Sequence, residues 1–592
     1  MCGIFGYVGI RDDAPQLVLA GLKKLEYRGY DSWGIAAKDN GRVQIEKRVG
    51  KIGDAVTTLR PSHVGLGHTR WATHGGVTDA NAHPHVDCTG RLAIIHNGII
   101  QNFRELHHDL TARDHTFRSD TDTEVVAHLV EEELENAADG PQRLVLALMA
   151  AFRRLTGLNA VAALDVASGH LAAAKSGSPL TLGWTEGGAL LASDYSALLE
   201  HTREMTFLDE HQAALLTPDG IEVYDVTTGQ AITPIVNVVA WKAEAADLAG
   251  FPDFMTKEIH EQPDVLRRIA REGVADAEAL AHLIEAASET HLVGCGTAAH
   301  AALAGQYLLA RVAGRRAFFA NGSEFGYLER FLGPGALAIA LSQSGETIDI
   351  LDSMRTAKAR GVELAALVNV EGSSLYRLAD HAILLGAGPE RCVLATKSFT
   401  AKLGILLLTA HALIGQTAVA QALLERAASE IEALLGDWRR DFIRQIAERI
   451  YRQEHLYMIG RGPSYPQALE AALKVKEVSY VHAEGFAGGE LKHGVIALIE
   501  PGTPCLVLAP DDETRDDVIS GAMEVKARGG HIIGVSPRPD PAFDDHIPVA
   551  DVGEASGLVQ AVPGQLLGYY LALLRGHDPD KPRNLAKSVT VK

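Results

Sequence analysis

The second residue of the chain is the first candidate for chemistry. The sequence opens Met1-Cys2-Gly3, and a small side chain after the initiator predicts that Met1 is removed. Cys2 would then carry both a thiol and a free α-amine, whose reference pKa of about 7.7–8.0 lets it accept the thiol proton near neutral pH. Nucleophile and base would then belong to one amino acid. Position alone, however, equally fits a cysteine that happens to stand second.

Three further features of the first 240 residues suit an amide substrate. Asn97-Gly98 follows an apolar strand, so a side-chain amide and a backbone N–H could form an oxyanion hole. Arg70 is a natural bidentate partner for an α-carboxylate, and Asp122 could hold an α-ammonium. Singly, each also fits an ordinary turn, a surface arginine or a helix cap. Together with Cys2 they predict attack on an amide whose other end carries the charges of an amino acid.

The same region is rich in histidine, which raises the question of a metal. The five histidines concerned are His68, His74, His83, His85 and His96. Their spacings match no ligand motif, and the five cysteines of the chain are scattered without a CxxC pair. We therefore predict reduced thiols, no zinc site, no other metal and no cofactor.

The module from residue 1 to about 238 alternates short apolar strands with turns and a few helices, which predicts an α+β fold with two layers of sheet covered by helices. It resembles the class II glutamine amidotransferase domain, an N-terminal-nucleophile hydrolase, through the segments MCGIFGYVG, EYRGYDSWG, HTRWATHG, NAHPH, HNGII and SDTDTEV. The resemblance implies that glutamine is split into ammonia and glutamate, with Cys2 as nucleophile and Asn97 and Gly98 as the oxyanion hole. The glutamine-binding residues that it implies are Arg28, Arg70, Thr73, His74 and Asp122.

The second half of the chain reads as a duplicated unit. A strand that runs into a glycine turn ends at Gly294 and again at Gly460, 166 residues later. Later strand pairs keep nearly the same offset, 168 for 336–341 and 504–509 and 167 for 364–368 and 531–535. Apolar strands bounded by glycine turns at a near-constant offset predict two α/β units, each a parallel sheet covered by helices.

In the first unit the second strand ends in a polar hexapeptide, residues 342–347, just before a predicted helix. Hydroxyls and backbone N–H groups at a helix N-terminus suit a phosphate, although the hexapeptide alone also fits an ordinary capped helix. The turn at 294–296 lacks the third glycine and the acidic residue of a dinucleotide loop. This half resembles the paired sugar isomerase (SIS) domains of the isomerizing glutamine–fructose-6-phosphate aminotransferases, through the segments CGT, LSQSGET, ATKSFT, LEAALKVKE, HAEGFAGGELKHG and PRNLAKSVTV.

The resemblance implies conversion of fructose 6-phosphate to glucosamine 6-phosphate with ammonia from glutamine. Such a reaction must open the sugar ring, replace the C2 oxygen by nitrogen and move a proton between C1 and C2. A histidine, a lysine Schiff base and a carboxylate suit these steps, and the resemblance places them on His493, Lys587 and Glu477. It also places Trp71 at the gate of an ammonia channel. The sugar-phosphate-binding residues that it implies are Thr297, Ser342, Gln343, Ser344, Thr347, Val393, Glu470 and Lys474.

The predicted organisation is a glutaminase domain at 1–238, a linker and helical lead-in at 239–287, SIS domains at 288–435 and 436–576 with a last helix at 564–575, and a tail at 577–592. Two positions depart from the family, since Ala298 and Ala395 stand where serine is common. They favour, as a second hypothesis, a paralogue that acts on another ketose or aldehyde phosphate. A third is a sugar-phosphate-sensing regulator, which would need neither Cys2 nor Lys587.

Composition restricts the partners and the compartment. A formal charge of −20 argues against nucleic-acid binding, and the start of the chain lacks the basic and apolar regions of a signal peptide. The most apolar run, residues 403–415, is too short to cross a bilayer. We expect a cytoplasmic enzyme without membrane contact, and the family resemblance implies a homodimer.

Overall fold

The structure is a computed structural model that describes residues 2–239, 248–328, 330 and 332–589. Met1, and with it the predicted removal of the initiator, lies outside the described residues. The chain divides into two compact units. One consists of Met1–Ala245 together with Ala586–Lys592, and the other of Ala246–Leu585. The domain bounds given above stay predictions.

Two antiparallel sheets form the centre of the N-terminal unit. The larger has the order β15 (Asn237–Val238), β11 (Glu204–Phe207), β9 (Thr181–Thr185), β10 (Gly188–Ala192), β1 (Gly3–Gly9), β4 (Val64–Arg70), β2 (Ser32–Asp39) and β3 (Arg42–Val49). The smaller has the order β14 (Ala231–Ile232), β13 (Gly220–Asp225), β12 (Gln212–Thr217), β8 (His170–Ser176), β7 (Asn159–Asp165), β6 (Leu92–Gly98) and β5 (His85–Val86).

Helices cover the outer faces of both sheets. Helix α1 (Ala14–Leu25) packs on β1 and β4, whereas α2 (Phe103–Thr111), α3 (Glu124–Asn136) and α4 (Arg143–Phe152) share a core with the smaller sheet. The inner faces meet in an apolar core that includes Ile4, Ile95 and Leu191. Alternate residues along each strand supply these inward side chains, as two packed sheets require. The predicted two layers of sheet between helices are confirmed.

Strand β1 is central and carries the start of the chain into the core. It pairs with β10 on one side and β4 on the other, and every residue from Gly3 to Gly9 is buried. Gly3 is required by packing, because a Cβ there would lie 2.6 Å from Thr69 Oγ1 and 2.8 Å from Leu25 Cβ. The strand therefore fixes Cys2, its immediate predecessor, at one end of the larger sheet.

The C-terminal unit begins with three helices and then contains two parallel sheets. The lead-in helices are α5 (Phe254–His260), α6 (Gln262–Glu272) and α7 (Val274–Ala286). The first sheet has the order β17 (Phe318–Asn321), β16 (Glu289–Gly294), β18 (Ala336–Ser342), β19 (Glu363–Val368) and β20 (His381–Leu384). The second has the order β22 (His482–Ala487), β21 (His455–Gly460), β23 (Pro504–Leu508), β24 (His531–Ser536) and β25 (Asp545–Pro548).

The predicted duplication is confirmed, since both sheets are parallel throughout and share one strand order. The helices of the first repeat are α8 (Thr297–Ala313), α9 (Gly322–Leu328), α10 (Ile348–Ala359) and α11 (Ser374–Leu378). Helices α12 (Lys397–Ala412), α13 (Thr417–Gly436) and α14 (Trp438–Ile450) lead to the second repeat, which contains α15 (Tyr465–Ser479), α16 (Arg515–Lys526) and α17 (Ser556–Leu574). One apolar core joins α8, α12, α15 and α17.

The last helix is longer than predicted, because it begins at Ser556 and contains Pro563. Proline removes one hydrogen bond inside a helix, but close packing against α15 compensates; a Cβ on Gly564 would lie 2.4 Å from Ala471 Cβ. The segment Gly553–Leu574 is also long and apolar enough to cross a membrane, yet 78% of its apolar window is buried inside the fold. It packs here as a core helix.

Candidate active sites

The Cys2 thiol meets the backbone of the segment that follows β4. The Trp71 N–H donates to Cys2 Sγ at 3.2 Å, and the Sγ lies 3.6 Å from the Trp71 carbonyl. The next residue, Gly3, donates its N–H to Thr69 Oγ1 at 3.0 Å, so the pairing of β1 with β4 holds the thiol in place. Burial raises the pKa of the Cys2 thiol, although Arg70 acts in the opposite direction. The resting thiol is therefore neutral and needs a base before it can attack.

The predicted oxyanion pair lies at the end of β6, in the other sheet. Asn97 Nδ2 donates to the Cys2 carbonyl at 2.9 Å. Gly98 has a φ of +136°, and a Cβ there would lie 2.3 Å from the Leu158 carbonyl; no other residue fits without strain. The two sheets thus bring nucleophile and oxyanion donors together, one from each.

His68, which sequence reasoning considered only as a possible metal ligand, orients this pair. Its Nε2 lies 3.0 Å from Asn97 Oδ1 and 3.0 Å from the His96 carbonyl. Two acceptors require a proton on Nε2, and burial lowers the pKa of His68 to about 3, which keeps the ring neutral. Because Asn97 Oδ1 accepts from His68, its NH₂ group must face Cys2. The signal in the sequence was the spacing of alternate residues on β4, which places His68 on the face toward β6.

A narrow cleft lies beside the thiol. Of the predicted glutamine-site residues it contains Arg70, Thr73, His74 and Asp122, with Cys2, Trp71 and Gly98; the other lining residues are His83, His96, Thr121 and Thr123. Asp122 is buried and accepts the Ile100 N–H at 2.9 Å.

Arg70 stabilises one wall of this cleft. Its guanidinium donates to the carbonyls of Gly76 at 3.0 Å and Gly75 at 3.1 Å, and also to that of His74. In this geometry it shapes the loop after Trp71. Arg28 does not line the cleft; it is buried in an ion pair with Asp194 at 2.7 Å. The prediction that Arg28 lines the glutamine site is therefore not supported by this geometry.

In the C-terminal unit, the loop at residues 342–347 connects β18 to α10. Ser342 Oγ accepts the Gly345 N–H at 3.0 Å, and Ser344 Oγ accepts the Glu346 N–H at 3.1 Å. Gly345 has a φ of +68°, which lets the loop turn back on itself. Thr347 precedes α10 without a side-chain cap on that helix, so the helix end presents hydroxyls and N–H groups toward an anion. Gln343 is half-buried, and its carbonyl accepts the Asn369 N–H.

Helix α15 places three charged residues on one face. Lys474 Nζ lies 3.3 Å from Glu470 Oε1 and 2.8 Å from Glu477 Oε2. The spacings of four and three residues make this possible. Both Glu470 and Lys474 are fully buried, so an ordinary solvent-exposed stripe of charges is excluded.

Helix α8 completes this network through its first turn. Thr297 Oγ1 donates to Glu470 at 3.1 Å and accepts from Lys474 at 3.0 Å. His300 Nδ1 lies 2.8 Å from the other Glu470 oxygen; sequence reasoning missed this histidine, because nothing in its spacing connects it with residue 470.

The charge state of the pair follows from its partners. Burial alone would raise the pKa of Glu470, but the Lys474 ammonium and the His300 ring lower it overall. Burial alone would lower the pKa of Lys474, but Glu470 and Glu477 raise it overall. Both groups are therefore ionised at neutral pH.

The remaining predicted residues lie on separate segments. Val393 is half-buried and donates its N–H to the Asp580 carbonyl at 3.2 Å, within the C-terminal unit. His493 is exposed at the end of a 3₁₀ helix, Gly488–His493, and has no hydrogen bond to another described residue. Lys587 is buried and groups with the N-terminal unit.

Comparisons with known proteins agree with both halves. Residues 43–223 match the model of the glutamine amidotransferase domain, and residues 283–412 and 449–575 match that of the SIS domain. The glutamine–fructose-6-phosphate aminotransferase (isomerizing) of Pyrococcus horikoshii is 42% identical over 602 residues, and that of a Thermus thermophilus strain is 41% identical over 617, each covering 100% of both chains.

A solved structure gives the same result for the second half. The C-terminal domain of glucosamine-fructose-6-phosphate aminotransferase from Francisella tularensis is 33% identical, with a TM-score of 0.53, and covers 56% of this chain and 99% of its own. Since full-length relatives exceed 40% identity, the chain belongs to the family of the isomerizing glutamine–fructose-6-phosphate aminotransferases.

Proposed function

We propose that this chain transfers the amide nitrogen of glutamine to fructose 6-phosphate and releases glucosamine 6-phosphate and glutamate. The observation that carries the proposal is membership of the family over the whole length, with both modules present in one chain. The enzyme is proposed to act in the cytoplasm as a homodimer, without nucleic-acid or membrane partners.

In the glutaminase half, the Cys2 thiol attacks the side-chain amide after its own α-amine has taken the proton. The negative oxygen that forms is stabilised by Asn97 Nδ2 and the Gly98 N–H. Asp122 binds the ammonium of glutamine, while Arg70, Thr73 and His74 bind its carboxylate end. Trp71 is proposed to gate the exit of the ammonia; its place in the lining of the cleft beside Cys2 supports this role.

In the isomerase half, the hydroxyls and N–H groups of residues 342–347 bind the phosphate. Glu477 moves the proton between C1 and C2 of the sugar, and Lys474 Nζ orients that carboxylate from 2.8 Å. Lys587 forms the Schiff base with the C2 carbonyl. His493 opens the ring; because it is exposed on the single chain, this role depends on the proposed homodimer.

The alanines at positions 298 and 395 carry the second candidate function, transfer of nitrogen to another ketose or aldehyde phosphate. Ala298 and Ala395 carry no hydroxyl, and Ala298 follows Thr297 in the first turn of α8. Each lost hydrogen bond to a sugar would weaken binding by about 0.5–1.5 kcal/mol. A panel of ketose and aldose phosphates separates the two activities, and we expect fructose 6-phosphate to give the highest kcat/KM.

The decisive experiment identifies the product by mass spectrometry, with glutamine labelled by ¹⁵N in the side-chain amide and fructose 6-phosphate as acceptor. Labelled glucosamine 6-phosphate is expected. Cys2→Ala should lower the glutamine-dependent rate at least about 1,000-fold, while isomerisation of the sugar phosphate survives. No amino sugar from the wild type would contradict the proposal, and so would full activity in protein that retains Met1.

A further inference from the structure

Away from both sites, four side chains of the N-terminal unit converge near the surface. Cys88 follows β5, His115 lies between α2 and α3, and His128 and Glu131 lie one turn apart on α3. One potential ligand atom from each residue lies within 4.8 Å of all the others. Cys88 is exposed and Glu131 is buried, so the cluster can be reached from solvent.

The distances within the cluster suit a tetrahedral ion. Cys88 Sγ lies 3.5 Å from His115 Nδ1 and 3.6 Å from His128 Nδ1. Glu131 Oε2 lies 3.2 Å from His115 Nδ1 and 3.1 Å from His128 Nδ1. Zinc–ligand bonds of about 2.0–2.3 Å in a tetrahedron place neighbouring ligand atoms about 3.3–3.8 Å apart. The four distances between sulfur or carboxylate and the ring nitrogens, 3.1–3.6 Å, are close to this range.

The outer nitrogens of both rings point to carboxylates, as is common for histidines that bind zinc. His115 Nε2 lies 3.3 Å from Glu132 Oε1, and His128 Nε2 lies 3.9 Å from Glu124 Oε1. His128 Nε2 is buried and has no hydrogen bond to a described residue. Protons on both Nε2 atoms leave the Nδ1 atoms free to bind a cation.

Binding of a cation would also relieve the crowded contacts of Glu131 Oε2. In its absence, Glu131 Oε2 faces the Nδ1 atoms of both rings and the Cys88 N–H at 3.1 Å. These three contacts crowd one carboxylate oxygen, and the Cys88 thiol lies against the same two imidazole nitrogens. With a divalent ion, the thiol loses its proton to solvent, the sulfur and the carboxylate together neutralise the charge, and both rings bind as neutral ligands.

We propose that Cys88, His115, His128 and Glu131 bind one Zn²⁺ as a structural site. Thiolate, imidazole and carboxylate ligands in a closed set of four are typical of zinc. The ion would tie the segment after β5 and the segment before α3 to that helix. Helix α3 begins at Glu124, directly after Asp122 and Thr123 in the wall of the glutamine cleft, so the ion would stabilise this wall without touching substrate. Metal binding itself is independent of the proposed reaction.

The test uses tag-free, full-length protein in a Cys2→Ala background, which removes the other reactive thiol of this unit. Metal analysis after purification from zinc-containing medium should find about one zinc per chain. After removal by a chelator, Co²⁺ should give the visible absorption of a tetrahedral site and a thiolate-to-cobalt charge-transfer band. Cys88→Ser should abolish that band.

Two further variants separate ligand loss from misfolding. Glu132→Gln keeps all four ligands and should weaken zinc binding about 10- to 100-fold, whereas His108→Gln, an exposed histidine on α2, should change nothing. Zinc should also protect Cys88 from alkylation in the parent protein. The site is overturned if the parent protein retains no zinc, if Cys88→Ser keeps the cobalt spectrum, or if zinc leaves the alkylation of Cys88 unchanged.

Discussion

The first turn of each repeat in the C-terminal unit bends at a glycine with the same backbone angle. The φ angle is +55° both at Gly296 and at Gly462, and each glycine ends the connection from the first strand of its sheet. The central strands of the two sheets, β18 and β23, begin at Ala336 and Pro504, 168 residues apart. The duplicated backbone therefore presents two equivalent loops, one in each repeat.

The loops differ in the groups that they offer. The offset between β18 and β23 pairs Ser344 with Asp512 and Gly345 with Glu513. Asp512 accepts the Thr514 N–H at 2.9 Å and its hydroxyl at 2.6 Å, so a carboxylate already occupies the start of α16. The first repeat leaves hydroxyls and N–H groups at the corresponding position. An anion is attracted to the first loop and repelled from the second.

The charged side chains near the two loops differ as well. In the second repeat a cleft includes Arg311 of α8 beside Asp511 and Asp512. Arg311 is already paired with Glu513, at 2.9 Å. The buried pair of Glu470 and Lys474 on α15 instead bonds to Thr297 in the first turn of α8. Duplication preserved the glycine turns, and the different charges of the two loops predict that only the first copy binds a phosphate.

The largest expected effect concerns the buried charges that only α15 carries. Lys474→Met leaves Glu470 buried without its cation and should destabilise the C-terminal unit by about 3–5 kcal/mol. The matched control is Leu308→Met, 166 residues earlier on α8, which keeps an apolar side chain and should cost less than about 1.5 kcal/mol. Calorimetric unfolding of both variants measures the difference.

The double variant Glu470→Gln with Lys474→Met sharpens this test. It removes both charges and should recover most of the lost stability, since replacing a buried ion pair by neutral groups is often nearly neutral. Equal losses in the single and the double variant would show that the pair is not coupled in the way the geometry indicates.

The next largest effect is expected when one residue of the first loop is replaced by its counterpart in the second loop. Ser344→Asp gives the first loop the residue of the second, and like charges beside a bound phosphate cost about 2–4 kcal/mol, or roughly 30- to 1,000-fold in affinity. Calorimetric titration with fructose 6-phosphate measures the loss, with Ser344→Ala as the control for the missing hydroxyl. Unchanged affinity in Ser344→Asp would mean that the phosphate lies elsewhere.

The ion pair of Glu470 and Lys474 should also affect how the stability of the C-terminal unit depends on pH. The lowered pKa of Glu470 contributes stability that is present above its unfolded value of 4.5 and is lost as the pH falls through the folded value. The raised pKa of Lys474 contributes stability that is present below 10.5 and is lost only at higher pH. Between these limits the contribution is constant.

Unfolding of the C-terminal unit below pH 4.5 provides the measurement. The acid loss should be shallower in the double variant than in the wild type, because the double variant has no carboxylate at 470 to protonate. Identical acid limbs would mean that Glu470 keeps an ordinary pKa.

Much of this comparison was visible in the sequence. Near-constant offsets predicted the duplicated sheets, because a parallel sheet covered on both faces imposes the same apolar strands and glycine turns on each copy. The start of α17 was predicted eight residues too late, because the helix continues through Pro563, where packing against α15 compensates for the lost hydrogen bond.

Long-range contacts were not visible in this way. His300 meets Glu470 across 170 residues, and Arg28 pairs with Asp194 across 166; no local pattern encodes either. The four residues of the proposed zinc site are equally scattered, so spacing rules predicted no metal. Only the fold brings them together, since such distances along the chain depend on which elements pack side by side.

The smallest effect is expected from the reverse swap, Asp512→Ser. Serine also caps a helix well, so stability should change by less than about 0.5 kcal/mol. Affinity for fructose 6-phosphate should stay at the wild-type value. In this variant the second loop keeps the negative charge of Glu513 and lacks the glycine that the first loop has at the corresponding position, Gly345. Titration should still find one sugar phosphate per chain. A second bound equivalent would show that the Asp512 carboxylate alone prevents the second repeat from binding a phosphate.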